Sequence, residues 1–246
     1  MTPVLQVKQL SKSFSGIHAL EDLDLEVREG EILGLVGPNG SGKTTLFNCV
    51  TGFVTTTSGR VFWQGRDITG LTPDRVARLG VVRTFQQKMV FPKCTVRDNL
   101  LMAWQAYRPG ASGRVFEACD DLLWFLGLAE MQEKLAAEIP FGSARKLGLG
   151  LALAAGPQLL LLDEPAAGLN QDESRDMGKL IGKIRGLGIT VWVIEHDMPL
   201  IMSICERIIV LDAGRKIAEG TPAEIANDPD VISVYLGEKF ARGRST

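Results

Sequence analysis

The residues with the clearest chemical meaning in this sequence lie between positions 37 and 44. Gly37, Gly42, Lys43 and Thr44 occupy every fixed position of the pattern G-x-x-x-x-G-K-[ST]. Its glycines let several backbone N–H groups point at one polyphosphate, and the N-terminus of a following helix adds partial positive charge. We expect Lys43 to neutralise the outer phosphates and the Thr44 hydroxyl to bind Mg²⁺. The alternative is a glycine-rich turn without a ligand, which the complete match disfavours.

Two carboxylates form a second candidate group. Asp163 and Glu164 directly follow four leucines at 159–162, a pattern typical of a buried parallel strand that carries acid groups to the carboxyl edge of a sheet. Asp163 is placed to hold the Mg²⁺ shell, and Glu164 to orient and deprotonate an attacking water. A helix start is the alternative interpretation. The upstream phosphate loop favours the acid pair.

A histidine follows another apolar segment. His196 comes directly after residues 189–195, so it is also expected at a sheet edge. From there an imidazole could contact a γ-phosphate or the attacking water. A histidine at this kind of position is otherwise most often an ordinary surface residue.

Composition is that of a globular protein. The chain has 246 residues, of which 45% are hydrophobic and 23% charged, and its net charge of −2 gives no electrostatic reason to expect nucleic acid as a partner. The four cysteines are far apart and form no C-x-x-C, so we expect thiols in a reducing cytosol rather than disulfides or a zinc site. We see no signal peptide, and the longest apolar region, 147–162, is shorter than the roughly 20 residues that span a bilayer.

The elements that must position these residues follow from hydrophobic periodicity. Alternation over 4–30 and over 59–64 predicts antiparallel strands with an exposed face. The phosphate loop is predicted between a strand at 32–36 and a helix at 43–50. The chain is then expected to be helical from about 96 to 155, with one apolar helical face formed by Val115, Cys119, Leu122, Leu123 and Leu126. Strands and helices alternate in the last third, which predicts an α/β fold with a largely parallel, doubly wound sheet.

In this order the motifs resemble the nucleotide-binding subunit of an ABC transporter over essentially the whole chain. Phe14 stands where that family has its adenine-stacking aromatic residue, Gln86 in its Q-loop and Asn170 in its D-loop. The resemblance implies a P-loop NTPase fold of the ABC ATPase type, with an antiparallel β subdomain and an inserted helical subdomain. Residues 1–246 would form a single domain, with about 1–93 and 159–246 as catalytic core and β subdomain and about 94–158 as the helical subdomain.

The resemblance also implies ATP hydrolysis with ATP and Mg²⁺ as cofactors. The implied catalytic residues are Glu164, His196, Gln86 and Lys43. The implied Mg²⁺ ligands are Thr44, Gln86 and Asp163. The implied ATP-binding residues are Phe14, Gly37, Pro38, Asn39, Gly40, Ser41, Gly42, Lys43, Thr44 and Thr45.

The family's signature motif, L-S-G-G-Q, is altered here. Its place is taken by Ile139, Pro140, Phe141, Gly142 and Ser143. Pro140 offers neither a hydroxyl nor an N–H, and two glycines, Gly148 and Gly150, follow in a predicted helix. One interpretation is a weakened surface for capping the partner subunit's ATP. The other, which we favour, is subgroup variation rescued by packing, since a proline-aromatic-glycine form is similar to that of branched-chain amino-acid importer ATPases.

Further segments resemble the same importer subgroup, namely 83–86, 166–170, 194–198 and 235–238. We therefore expect an ATPase subunit at the cytoplasmic face of the inner or plasma membrane, held there peripherally by transmembrane permease subunits. A second ATPase subunit, identical or not, and indirectly a solute-binding protein are the other implied partners. The alternatives are an ATPase of a urea or lipopolysaccharide transport system, a soluble ABC ATPase acting on DNA or ribosomes, and a regulatory module without turnover.

Overall fold

The computed structural model describes residues 2–84, 90–106 and 115–242, with side chains described as far as residue 235. Gln86 therefore lies outside the described residues. The strands are β1 (Pro3–Phe14), β2 (Ile17–Arg28), β3 (Ile32–Val36), β4 (Ser58–Trp63), β5 (Arg66–Asp67), β6 (Val81–Arg83), β7 (Leu159–Asp163), β8 (Thr190–Ile194), β9 (Arg207–Asp212) and β10 (Arg215–Gly220). The helices are α1 (Lys43–Val50), α2 (Pro73–Arg78), α3 (Val96–Ala106), α4 (Cys119–Leu126), α5 (Phe141–Leu153), α6 (Gln171–Gly186), α7 (Met198–Ile204), α8 (Pro222–Asn227) and α9 (Pro229–Arg242).

A six-stranded sheet in the order β10-β9-β3-β8-β7-β6 forms the centre of the fold. Its strands are parallel except for β10, which is antiparallel to β9. Ile194 at the end of β8 pairs with Leu35 of β3 on one side and with Asp163 of β7 on the other. The carboxyl ends of these three strands therefore meet at one edge, and the predicted mostly parallel α/β fold is confirmed.

The N-terminal strands form a separate four-stranded sheet in the order β2-β1-β4-β5, with antiparallel pairing throughout. One face of this sheet is exposed, as alternation predicts, and the other contributes buried residues to a core shared with α1 and the central sheet. In that core the rings of Phe47 and Trp192 meet edge to face, with 4.9 Å between their centroids. The four-stranded sheet thus packs α1, and with it the phosphate loop, against the central sheet.

Helices cover the opposite face of the central sheet. On α6 the apolar residues Met177, Leu180, Ile181 and Ile184 form one buried stripe. The expected apolar face at 115–126 is partly wrong, because α4 begins only at Cys119 and Val115 lies outside it with 41% of its surface exposed. None of the helices within the described ranges is both long and apolar enough to cross a membrane.

The two glycines of α5 differ in their surroundings. A Cβ at Gly150 would lie 2.4 Å from Leu126 Cδ1 and 2.8 Å from Leu100 Cδ2, both on buried side chains of neighbouring helices. A Cβ at Gly148 would meet nothing within 4 Å. Close helix packing therefore accounts for Gly150 but not for Gly148.

Candidate functional site

The loop between β3 and α1 requires glycine at two of its fixed positions. Gly37 has φ +150° and Gly42 φ +101°, values that L side chains rarely adopt. A Cβ at Gly37 would lie 2.0 Å from the Leu211 carbonyl oxygen, and one at Gly42 would lie 2.6 Å from that of Ala19. The pattern glycines thus serve both the turn and its close packing against β2 and β9.

Lys43 reaches back over this loop. Its side chain is buried, and its Nζ donates hydrogen bonds to the carbonyl oxygens of Gly37 (2.8 Å) and Pro38 (2.9 Å) and to Ser41 Oγ (3.3 Å). Oxygen atoms of the loop itself therefore hold the ammonium group inside the loop. From this position it can act as a point charge for a phosphate.

A cavity of about 190 Å³ lies beside the loop and brings together most of the residues that the sequence indicates. Its described lining residues are Ala19, Asn39, Gly40, Gly42, Lys43, Thr44, Thr45, Glu164 and His196. Phosphate-binding groups from α1 and its loop thus share one cavity with an acid and an imidazole that follow β7 and β8. Such an arrangement can hold a polyphosphate next to a general base.

Glu164 and His196 are in direct contact. His196 Nε2 lies 3.0 Å from Glu164 Oε1, so an Nε2 proton would be donated to the carboxylate. Both side chains remain partly exposed to the cavity, with 23% of Glu164 and 44% of His196 accessible. Glu164 has φ +49°, an uncommon conformation for a non-glycine residue, which five other described non-glycine residues share.

Asp163 has a different environment from the one expected. It is absent from the described lining of the phosphate-loop cavity, and its Oδ2 accepts a 2.5 Å hydrogen bond from Arg83 Nη2. Arg83 also donates to Asn48 Oδ1 at 2.6 Å, which ties the acid to α1. Asp163 Oδ1 is buried and has no hydrogen-bond partner among the described residues. One oxygen is therefore balanced by Arg83, and the other is available to a further ligand.

Phe14 also lies apart from the described cavity lining. The residue is 46% exposed near the turn between β1 and β2, and the ammonium of Lys12 lies 4.7 Å from the ring centroid. The ring is thus accessible for stacking, with one cation already packed against it. Its adenine-stacking role stays a prediction.

The altered signature segment starts α5, and none of its residues is among the described residues that line the phosphate-loop cavity. Pro140 is the N-cap of α5, and no side-chain hydrogen bond caps this end of the helix. Phe141 packs against Gly168, and the Arg145 guanidinium lies 5.1 Å from its ring centroid while donating to the Ala167 carbonyl oxygen. The segment is thereby attached to the loop that follows Glu164.

Asn170, which the family resemblance assigns to the D-loop, caps the next helix. Its Oδ1 accepts hydrogen bonds from the backbone N–H groups of Asp172 and Glu173, both at 3.0 Å. Glu173 Oε2 in turn accepts from the Asn170 N–H, which completes a capping box at the start of α6. The loop between Glu164 and α6 is therefore fixed at its far end.

Two residues near the site carry no role in the sequence-based prediction. Arg83 pairs with Asp163, and Glu195 is a buried carboxylate that accepts backbone hydrogen bonds beside Glu164 and His196. A sequence signal existed for Glu195, because a charged residue at the end of a mostly apolar strand needs partners when buried. Arg83 gave no comparable signal, since its partner lies 80 positions away.

A larger cavity of about 230 Å³ lies between β6, β7 and α5. Arg83, Phe141, Arg145 and Gly148 are among its lining residues, and most of its surface is apolar. None of its described lining residues belongs to the glycine loop between β3 and α1, so the smaller cavity at Lys43 is the candidate nucleotide site.

Comparison with protein families gives two matches. The ABC transporter family matches residues 20–167, and a branched-chain amino acid ATP-binding cassette transporter family matches residues 215–241. Among curated proteins, the high-affinity branched-chain amino acid transport ATP-binding protein LivG of Salmonella typhimurium is 41% identical, over 96% of this chain and 98% of LivG. BraF of Pseudomonas aeruginosa, described in the same words, is 39% identical over the same shares. The lipopolysaccharide export system ATP-binding protein LptB of Haemophilus influenzae is 34% identical over 96% of this chain and 98% of LptB.

Solved structures give the same answer. The ADP conformation of MJ1267, an ATP-binding cassette of an ABC transporter, superposes with a TM-score of 0.87 at 29% identity, covering 96% of this chain and all of that one. A dimeric structure of the cassette MJ0796 has a TM-score of 0.75 at 27% identity, covering 89% of this chain and 98% of that one. With this fold, this phosphate loop and relatives of this identity over nearly the full length, the chain belongs to the ABC transporter family as one of its ATP-binding, ATP-hydrolysing cassettes.

Proposed function

We propose that this chain powers the import of branched-chain amino acids or similar small polar solutes by hydrolysing ATP. The observation that carries the proposal is the cavity in which Lys43, Thr44, Glu164 and His196 meet. The similarity to LivG and BraF over nearly the whole chain, and the family match at 215–241, support the transported class.

In the proposed site the residues have separate tasks. The loop N–H groups from Gly37 to Thr45 and the Lys43 ammonium bind the phosphates. Glu164 orients and deprotonates the attacking water, and His196, at 3.0 Å from it, contacts the γ-phosphate or that water. Phe14 stacks on adenine. Gln86 contributes to the metal shell and to coupling with the membrane subunits.

The described residues fit a Mg²⁺ ion that arrives with ATP. In the described part of the chain, no cluster of three His, Cys, Asp or Glu side chains could hold a metal alone. The buried Asp163 Oδ1, the Thr44 hydroxyl and phosphate oxygens are the hard oxygen ligands that Mg²⁺ prefers. When bound, the ion would neutralise charge on the phosphates.

The proposed partners are two transmembrane permease subunits, a second ATPase subunit and, indirectly, a solute-binding protein. ATP would hold two ATPase subunits face to face, with the segment from Ile139 to Ser143 capping the partner's nucleotide. Permease subunits would hold the pair at the cytoplasmic face of the inner or plasma membrane. No nucleic acid takes part in this proposal.

Lipopolysaccharide export is the second candidate, favoured by the 34% identity to LptB. The higher identity to LivG and the separate branched-chain family match near the C-terminus favour amino-acid import. Both candidates use the same ATP site, so they differ only in the membrane partner.

The test is transport by the reconstituted complex. The chain is co-expressed with the permeases, second ATPase and solute-binding protein proposed as its partners, and the complex is placed in proteoliposomes with ATP inside. We expect leucine uptake that requires ATP and is lost with Glu164→Gln in this chain. Neighbouring genes for lipopolysaccharide transport, or ATP turnover that responds to lipopolysaccharide and not to leucine, would contradict the proposed substrate.

A further inference from the structure

Glu195 is a buried acid, and both of its carboxylate oxygens accept hydrogen bonds from backbone N–H groups. It directly follows β8, and only 3% of its surface is exposed. Its Oε1 accepts from the Ala166 N–H at 2.6 Å, and its Oε2 accepts from the N–H groups of His196 at 3.0 Å and Asp197 at 3.5 Å. Hydrogen bonds to a carboxylate are stronger than those between neutral groups. One side chain therefore joins two loops.

These two loops carry the proposed catalytic pair. Ala166 lies two residues after Glu164, and the Glu164 N–H donates to the Ile194 carbonyl oxygen at 2.9 Å. The backbone around Glu164 is thus attached on both sides to consecutive residues, Ile194 and Glu195. The contact of 3.0 Å between His196 Nε2 and Glu164 Oε1 closes the ring.

Glu164 needs such support because its backbone is strained. Its φ of +49° is unfavourable for a residue with a Cβ, and such a conformation persists only where neighbouring contacts enforce it. The bond from Ala166 to Glu195 restrains the chain two residues further on. Removing it would let the loop relax and carry the Glu164 carboxylate away from its place.

A second buried glutamate, Glu31, lies away from the candidate site and has different partners from those of Glu195. Glu31 is 2% exposed, and its carboxylate pairs with the Arg207 guanidinium at the opposite end of β3 from the phosphate loop. In the described part of the chain Glu195 accepts its hydrogen bonds from backbone N–H groups, and these donors belong to the loops beside Glu164 and His196.

We propose that Glu195 is a positioning residue for ATP hydrolysis, whose carboxylate fixes Glu164 and His196 relative to each other. The inference rests on the proposed roles of Glu164 and His196. It predicts that Glu195 acts on turnover and not on nucleotide binding, because it contacts the loops behind the cavity and is not among the described residues that line it.

Glu195→Gln tests this in the full chain. The amide keeps the shape and one acceptor oxygen, but it replaces the other oxygen by a donor that faces backbone N–H groups. Because burial raises the pKa of the Glu195 carboxyl, despite three N–H groups that lower it, a neutral side chain also removes a cost of burying charge. We expect kcat to fall at least about tenfold, since small misplacement of catalytic groups is costly, with the ATP Kd within about threefold of wild type.

The matched control is Glu31→Gln, which removes a carboxylate of equal burial away from the site. It should lower the melting temperature and leave kcat and the ATP Kd as in wild type. If Glu195→Gln does not fold, Glu195→Asp keeps the charge and withdraws the oxygens by one methylene, with the same expected loss of kcat at retained affinity.

Wild-type kcat in a folded Glu195 variant would overturn the proposal, and so would a loss of ATP affinity as large as the loss of kcat. Glu164→Gln, measured in parallel, distinguishes a failure of the positioning role of Glu195 from a failure of the proposed catalytic site. If Glu164→Gln abolishes turnover and Glu195→Gln does not, only the positioning role fails. If neither variant changes turnover, the proposed catalytic site itself is wrong.

Discussion

Lys43 and Glu164 line the same cavity, but their loss should affect different steps. Lys43→Ala removes a positive charge from the phosphates, and a charge-assisted contact contributes about 1.5–3 kcal/mol, so the ATP Kd should rise at least about tenfold. Glu164→Gln should bind ATP like wild type and lose turnover by about 10²-fold or more, since it removes the proposed general base. Fluorescent-ATP titration and phosphate release measure the two effects. Normal binding and normal hydrolysis in both variants would refute the assignments.

Phe14 offers an exposed ring for the adenine base. Phe14→Ala should raise the ATP Kd, whereas Phe14→Tyr should change it little because the stacking face is retained. Titration of the three proteins with ATP and with inorganic triphosphate, which has no base to stack, checks the origin of the effect. Equal ATP affinities would assign Phe14 to packing alone, with Lys12 as its partner.

The start of α5 is the element in which this chain departs from its family's pattern. Pro140 occupies an N-cap position with extended backbone and no side-chain capping bond, a position at which serine is preferred. Pro140→Ser should therefore raise stability by about 1 kcal/mol, and in the proposed dimer its hydroxyl would add a donor toward the partner subunit's nucleotide.

ATP turnover by the isolated chain decides whether this altered segment limits catalysis. Removing donors aimed at developing charge costs about 10²–10³-fold in known cases, so a tenfold rise in kcat with Pro140→Ser would indicate a weakened signature. Assays are run at protein concentrations high enough for dimers to form. An unchanged kcat together with a raised melting temperature would show that the segment is a neutral subgroup variant.

The two glycines of α5 should respond in opposite ways to the same substitution. Gly148→Ala has open space for its methyl group and should gain close to the helix-propensity difference of about 0.8–1.0 kcal/mol. Gly150→Ala should destabilise, because its methyl group would overlap the Leu126 and Leu100 side chains. Urea unfolding of both variants gives the comparison. Equal gains in stability would show that the contact between α5 and its neighbours is loose.

At the scale of the whole molecule, a buried ionic network joins distant parts of the chain. Arg207 at the start of β9 pairs with Glu31, just before β3, and with Glu219 in β10. Burial raises the pKa of the Glu219 carboxyl, but Lys216 and Arg207 lower it by more, so the pKa lies below its usual value of 4.5. Stability from Glu219 is therefore present above the unfolded pKa and is lost as the pH falls through the lower, folded pKa.

Glu219→Gln should accordingly destabilise the protein at pH 7, by about 1 kcal/mol for a partly exposed pair. The difference from wild type should shrink as the pH falls below about 4, where the wild-type carboxyl also loses its charge. Denaturant unfolding at both pH values measures this. Glu133→Gln, which changes the same charge at an exposed position, is the control. A difference from wild type that is independent of pH would show that the charge of Glu219 does not stabilise the fold.

Short stretches of the sequence were sufficient to predict several elements of the fold and the position of the candidate site. The pattern from Gly37 to Thr44 predicted a strand, a loop and a helix, and the helix has the predicted bounds of 43–50. The apolar strands before Asp163 and His196 predicted that both would reach one sheet edge, because parallel strands share their carboxyl edge. These elements and their shared sheet edge could be predicted because local backbone geometry depends mainly on residues that are close in the sequence.

Only the tertiary structure shows which residues from distant parts of the sequence are in contact. Asp163 meets Arg83, and Glu195 meets Ala166, only because strand order places β6, β7 and β8 side by side. Likewise, Gly150 is explained by Leu126 and Leu100, which belong to other helices. Hydrophobic periodicity specifies which face of an element is buried but not which residues meet it, since side-chain partners depend on how whole elements pack.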